Sequence, residues 1–257
     1  MRSRAVLLPT PGDPFLLKYW LENYNKYWRT EVDCLYIHLN TPIEKEVVNY
    51  EIGLFEKYGA NYKYVNHQIE HGDALNELLD MVKEEYLMLA EDDAYIFTRG
   101  TVNACFSSLE SGEYDLVGSK RGSCSFEILE AAKQKWGLDY TGYGDQGCNF
   151  WPCYLFTKTE TLKRTDRRFG ARAWKRGELV EPLNYVIEKE DIANGDTFVN
   201  TSLQLRAMGL KILCLPQYHG SPDDLKHYEK KENLWNGKAP WTHVGSLSSG
   251  VGGMLVN

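Results

Sequence analysis

Glu85-Tyr-Leu-Met-Leu-Ala-Glu-Asp-Asp-Ala-Tyr-Ile-Phe97 decides the fold, because an apolar run too short for most helices ends there on three consecutive carboxylates. Tyr86 to Ala90 reads as a central strand of a sheet covered on both faces, since such strands are continuously apolar rather than alternating. Glu91, Asp92 and Asp93 then emerge at the carboxyl edge, where open α/β sheets hold their ligands. Three adjacent acids repel one another, and a divalent cation or a set of backbone amides offsets that repulsion. Hard oxygen ligands with few histidines suit Mg²⁺ or Mn²⁺. The competing reading is a helix N-cap with acids in the next turn.

Upstream of this stretch, strand and helix alternate. Arg4 to Pro9 is an apolar strand ending in the turn Thr10-Pro-Gly-Asp-Pro14. Phe15, Leu16, Tyr19, Trp20 and Tyr27 follow at helical spacing behind an Asp13–Pro14 start signal. Val32 to Leu39 is a second strand, Ile43 to Tyr58 an amphipathic helix closed by Gly59, and Tyr62 to Val65 a short, polar strand of the edge type. His71 opens a helix carrying Leu75, Leu78, Leu79 and Val82. Such alternation predicts an α/β fold with a mostly parallel sheet and helices on both faces.

The chain has 257 residues, 43% apolar and 13% aromatic, a globular composition large enough for a sizeable core. No charged-then-apolar leader follows Met1, and no apolar run approaches the roughly 18 residues of a membrane span, so a cytoplasmic protein is expected. The six cysteines are scattered, without a disulfide framework or paired Cys-x-x-Cys zinc spacing.

Downstream, Thr101 to Leu109 reads as a helix, Tyr114 to Gly118 as a strand, and Ile128 to Trp136 as a further helix. Gly142 to Gly147 is a loop, followed by the aromatic-rich segment Cys148 to Leu162. In Asn194-Gly-Asp-Thr-Phe-Val199, Asp196 is expected to cap a helix that Gly209 ends, with a strand from Leu210 to Leu215 stopped by Pro216.

The order and spacing of these pieces resemble the large inverting GT-A glycosyltransferase family. Leu8-Pro-Thr10 matches its first strand end, Asn40 the polar residue ending its second, Gly72-Asp-Ala-Leu-Asn76 its Gly-x-Ala-x-Asn signature, and Glu91-Asp-Asp93 its DxD motif. Leu205-Arg-Ala-Met-Gly-Leu-Lys-Ile212 matches the helix end that follows the family's Gly-Glu-Asp motif, with Gly195 standing where the family has Glu. The resemblance implies a nucleotide-sugar half over residues 1–100 and an acceptor half over 101–257 within one compact domain. It implies a nucleotide diphosphate sugar donor, UDP-linked first of all, contacted by Pro9, Thr10, Asn40, Gly72, Asp73, Asn76, Glu91 and Asp92. The metal falls to Asp93 with Glu91, completed by a histidine past the last strand: His243, with His219 as the alternative. The general base falls to Asp196, with Asp191, Glu190 and Asp145 as rivals. Trp151 and Tyr154 lie in the segment that faces the acceptor in this family, where they would stack on a ring unless they are core.

Eight basic residues between Lys158 and Arg176 face only Glu160 and Asp166 in a chain of net charge −7. A solvated helix face is one account of such a run. The other is a polyanionic acceptor held by Arg167, Arg168, Lys175 and Arg176 with Trp174 stacking, which suits a phage-type enzyme glycosylating hydroxymethylated DNA bases in a bacterial host. A phosphate-bearing or lipid-linked glycan fits the same pattern. Two other classes compete: a nucleotidyltransferase, whose glycine-rich basic loop is missing from Thr10–Pro14, and a non-catalytic sugar-binding module without metal dependence.

Overall fold

The computed structural model describes residues 2–41, 44–119, 124–137, 153–215, 218–219 and 242–243. In chain order these form β1 (Arg4–Thr10), α1 (Pro14–Tyr27), β2 (Cys34–Asn40), α2 (Lys45–Tyr58), β3 (Asn61–Val65), α3 (His71–Met81), β4 (Tyr86–Leu89), β5 (Ala94–Tyr95), α4 (Thr101–Glu110) and β6 (Leu116–Ser119). Then follow α5 (Phe126–Trp136), β7 (Leu155–Lys158), α6 (Thr159–Lys163), β8 (Arg172–Lys175), β9 (Leu179–Val180), β10 (Tyr185–Val186), β11 (Ile192–Gly195), α7 (Val199–Ala207), β12 (Ile212–Leu215), β13 (Tyr218–His219) and β14 (Thr242–His243).

Seven strands form the central sheet in the order β12-β6-β7-β4-β1-β2-β3. Every pairing is parallel except those of β7, which runs against β4 and β6. Alternate residues of each strand feed two cores. Val6, Leu8, Ile37 and Met88 pack with α1, α2 and α4, whereas Ala5, Leu7, Leu87 and Leu89 pack with α3 and α7. A third cluster joins α5, β8, β11 and the other side of α7, so α7 is buried on two sides and serves as the joint between sheet and annex. The polar strand β3 is the sheet edge, as its composition predicts.

Local signals explain the element ends. The Asp13 carboxylate accepts from the N–H groups of Phe15 and Leu16, and Pro14 begins α1. Gly59 closes α2 in the left-handed conformation. One expectation is corrected: Asp196 is not the cap of α7. The helix begins at Val199 with Phe198 at the cap position, φ 71°, and no side-chain cap bond. Aromatic packing wins over capping chemistry here, because Phe198 stacks on Phe169 with centroids 5.4 Å apart and donates its N–H to the Phe169 carbonyl at 2.7 Å. The Asp196 side chain instead accepts from the N–H of Thr197 at 2.8 Å.

Candidate active site

The acidic turn sits where β4 leaves the sheet, and its backbone is held from inside. The Ala94 N–H donates to the Glu91 carbonyl at 3.2 Å, and the Tyr95 hydroxyl to the Asp92 carbonyl at 3.1 Å. The Tyr154 hydroxyl donates to the Ala94 carbonyl. Tyr154 is wholly buried, as is Trp174, so neither ring offers a face to an acceptor; both are core residues, and Tyr154 acts as a brace for the turn. Trp151 and Asp145 lie outside the described residues.

Asp92 and Asp93 are both buried, while Glu91 is half-buried. The Thr10 hydroxyl, at the end of β1, donates to Asp92 at 2.6 Å and accepts from the Gly12 N–H at 3.1 Å. Burial pushes the Asp92 carboxyl well above the ordinary carboxylate range, and the Asp93 and Glu91 charges push the same way while Thr10 pulls it back. Pro9 and Asn40 are buried at the same rim, at the ends of β1 and β2.

His71, which no motif marks, feels the charges of this arrangement. It is the first residue of α3, whose amino end faces this rim. Desolvation lowers its pKa, and the negative fields of Glu91, Asp93 and Asp196 raise it in part. The imidazole therefore lies within electrostatic reach of carboxylates from the acidic turn and from the loop before α7. A lone histidine opening a helix carries no sequence signal for such a place, because its neighbours come from positions 20 and 125 residues away.

The other candidates divide. Asp196 is exposed, whereas Asp191 pairs with Arg176 at 3.1 Å and Glu190 accepts from the Glu127 N–H, at the start of α5, at 3.0 Å. The backbone of His243 pairs with Ala94, the residue after Asp93, and His219 pairs with His243. Gly72 is buried and Asp73 exposed in the first turn of α3. Asn76 accepts from Arg167 Nε at 3.1 Å and donates to the Arg167 carbonyl at 2.7 Å, so it clamps the 165–170 segment. Within the basic run, Arg167 pairs with Asp80, Arg168 with Asp166, Arg172 with Glu178 and Lys163 with Glu160. Lys175 is exposed.

Among the described residues, no group of three His, Cys, Asp or Glu side chains is arranged to hold a metal ion. The donor chemistry of Glu91 and Asp93 fits a hard cation bound through one or two carboxylates together with substrate phosphates, the usual mode for Mg²⁺.

No protein-family model matches the chain, and no curated protein matches it in sequence. Solved structures do match in fold. A mannosyltransferase from Pyrobaculum calidifontis, in complex with GDP-Man and Mn²⁺, superposes with TM-score 0.51 at 14% identity over 84% of this chain and 55% of its own. TarS 1-349 from S. aureus superposes with TM-score 0.52 at 11% identity, over 96% of this chain and 62% of its own. A longer S. aureus TarS gives TM-score 0.52 at 13% identity over 95% of this chain and 37% of its own. The chain thus spans less than two thirds of the length of the structures it matches. The fold is the GT-A fold, as its sequence pattern predicts.

Proposed function

We propose that the protein is a metal-dependent glycosyltransferase that moves a sugar from a nucleoside diphosphate sugar, UDP-linked by first expectation, to an acceptor hydroxyl. One observation carries the reading. On a GT-A sheet, the acidic turn 91–93 leaves β4 at the rim where β1 and β2 also end, with Asp92 held there by the Thr10 hydroxyl at 2.6 Å. The mannosyltransferase complex with GDP-Man and Mn²⁺ supports a nucleotide-sugar donor and a metal for this fold.

In this reading Asp93 and Glu91 hold Mn²⁺ or Mg²⁺, with the His243 backbone position beside Ala94 favouring that histidine over His219. When bound, the ion offsets negative charge on the departing diphosphate. Thr10, bonded to Asp92, fixes the turn from the β1 side. Asp196 takes the proton of the acceptor hydroxyl as its oxygen bonds to the anomeric carbon. The bond from that carbon to the diphosphate oxygen breaks on the opposite face, and the anomeric centre inverts. The base role falls to Asp196 because it is exposed, whereas Asp191 and Glu190 are engaged elsewhere.

For the acceptor, the burial of Trp174 removes the stacking ring that favoured DNA, and Arg167, Arg168 and Arg176 each have an acidic partner within the protein. A glycan or small hydroxyl compound fits better. The deciding experiment is thermal melting with UDP, GDP, CDP and dTDP, each with and without Mn²⁺. At least one nucleotide should stabilise the protein only when the metal is present, and Asp93→Asn should abolish the shift. No shift with any nucleotide would overturn the proposal.

A further inference from the structure

Asp196 forms part of the wall of an open cavity of about 740 Å³, together with Cys124, Ser125, Arg172, Asn194 and Gly195. This volume suits one or two sugar units. The wall is built by the β8–β11 pair, in which Arg172 lies opposite Gly195, and Asp196 is the residue that follows Gly195 as the chain leaves β11. They are the two charged residues among the described lining.

Arg172 is held in a manner that suits recognition. Its guanidinium carbon lies 5.0 Å from the centroid of the buried Trp174 ring, a rigid platform. One terminal nitrogen donates to Asn200 Oδ1 at 3.3 Å, and the other meets Glu178 at 3.5 Å. A guanidinium carries five N–H donors, and these two contacts leave others for a ligand. The side chain is 25% exposed against 40% for Glu178, which makes the latter a weak, solvent-screened counter-ion. A planar fork fixed in this way matches the paired oxygens of a phosphate or a carboxylate.

We propose that this cavity is the acceptor subsite, and that Arg172 selects an acceptor whose sugar or polyol bears an anionic group, a phosphate monoester or a carboxylate, while its hydroxyl reaches Asp196. The proposal rests on the glycosyltransferase reading above. Arg172 is then a specificity residue, not a part of the proton transfer.

The test is thermal melting of the full chain in saturating UDP and Mn²⁺, or whichever nucleotide shifts the melt most, with millimolar glucose, glucose 6-phosphate or glucuronate. At least one of the two anionic probes should raise the melting temperature while glucose does not, and the one that does identifies the group. Arg172→Gln should remove that increment and leave the nucleotide–Mn²⁺ shift intact. Arg172→Lys, which keeps charge without the fork, should retain part of it, and supplies the comparison if the Gln variant fails to fold. Arg164→Gln, at an exposed site away from the cavity, should change nothing. Equal shifts with glucose and its anionic counterparts, no shift with any of the three, or an anion shift that survives in both Arg172 variants would overturn the proposal. Loss of the nucleotide–Mn²⁺ shift itself in the unaltered protein would instead remove the glycosyltransferase reading on which it stands.

Discussion

A Cβ added to Gly72 would stand 2.1 Å from the backbone nitrogen of Gly170, so the first turn of α3 and the segment entering the β8 hairpin touch main chain to main chain. Gly72→Ala therefore sets two effects against each other. Alanine gains about 1 kcal/mol of helix propensity over glycine. Backbone cannot swing aside as a side chain can, and overpacking costs about 1–3 kcal/mol or more. We expect net destabilisation in urea unfolding and weakened nucleotide binding, because His71 is the adjacent residue. A variant as stable as the unaltered protein would show that the 169–170 segment yields easily.

Asp196→Asn should leave the nucleotide–Mn²⁺ melting shift intact and lower turnover by roughly 10² to 10⁴, the range for losing a general base. Asp93→Asn should do the opposite first, abolishing the shift. If Asp196→Asn turns over normally, the base lies elsewhere or the mechanism retains configuration.

Tyr154→Phe removes one hydroxyl from the core and leaves the Ala94 carbonyl without that donor. A buried acceptor left unsatisfied costs about 1–3 kcal/mol. The melting temperature should fall, and the apparent affinity for Mn²⁺ in the presence of nucleotide should fall with it, since the brace fixes the turn bearing Asp93. A ring acting as an acceptor platform would be almost insensitive to this change, so an unchanged metal affinity would argue against the brace.

Two buried glutamates should give opposite pH responses. Glu51 on α2 is fully buried, and among the described residues neither carboxylate oxygen has a hydrogen-bond partner. Burial pushes it up to about 7, with the Asp13 charge adding. A raised carboxyl pKa favours folding below the unfolded value and costs stability as pH rises from about 4.5 to 7, here on the order of 3 kcal/mol at most. Glu51→Gln should thus be more stable than the parent at pH 8 and close to it at pH 4. For Glu127 burial would raise the pKa, but the N–H groups of Glu188, Lys189 and Glu190 and the Tyr185 hydroxyl hold it at about 2. Its contribution is present above about 4.5 and lost as pH falls toward 2. Glu127→Gln should be destabilised at pH 7, with the gap to the parent narrowing as pH falls. Parallel pH curves for parent and variant would refute either assignment.

The frame of the fold was legible because its signals are local. Alternation of strand and helix, the Asp13–Pro14 start of α1, the Gly59 stop of α2 and the apolar run into Glu91 each act within a few residues. Local cues misled wherever distant packing outweighed them. Asp196 has the composition of a helix cap, yet Phe169 draws Phe198 into that position. Tyr154 and Trp174 look like cleft aromatics, and only their neighbours show that they are core. The run from Lys158 to Arg176 reads as unopposed charge because three of its counter-ions, Asp80, Glu178 and Asp191, are outside the run. The same holds for Gly195, which replaces the family's glutamate: a Cβ there would meet Val199 at 2.8 Å and Trp174 at 3.0 Å.

The reversal of β7 has a consequence for how the protein tolerates changes in length. Because β7 runs against β4, its first residue pairs with the last of β4, and its last residue with the first. Extra residues inserted just before Leu155 would therefore be felt at the rim that carries Asp92 and Asp93. The same number inserted just after Lys158 would emerge at the opposite rim, beside Tyr86 and the start of β1. A library of loop lengths on the two sides of this one strand should separate into variants that alter ligand handling and variants that alter only folding yield.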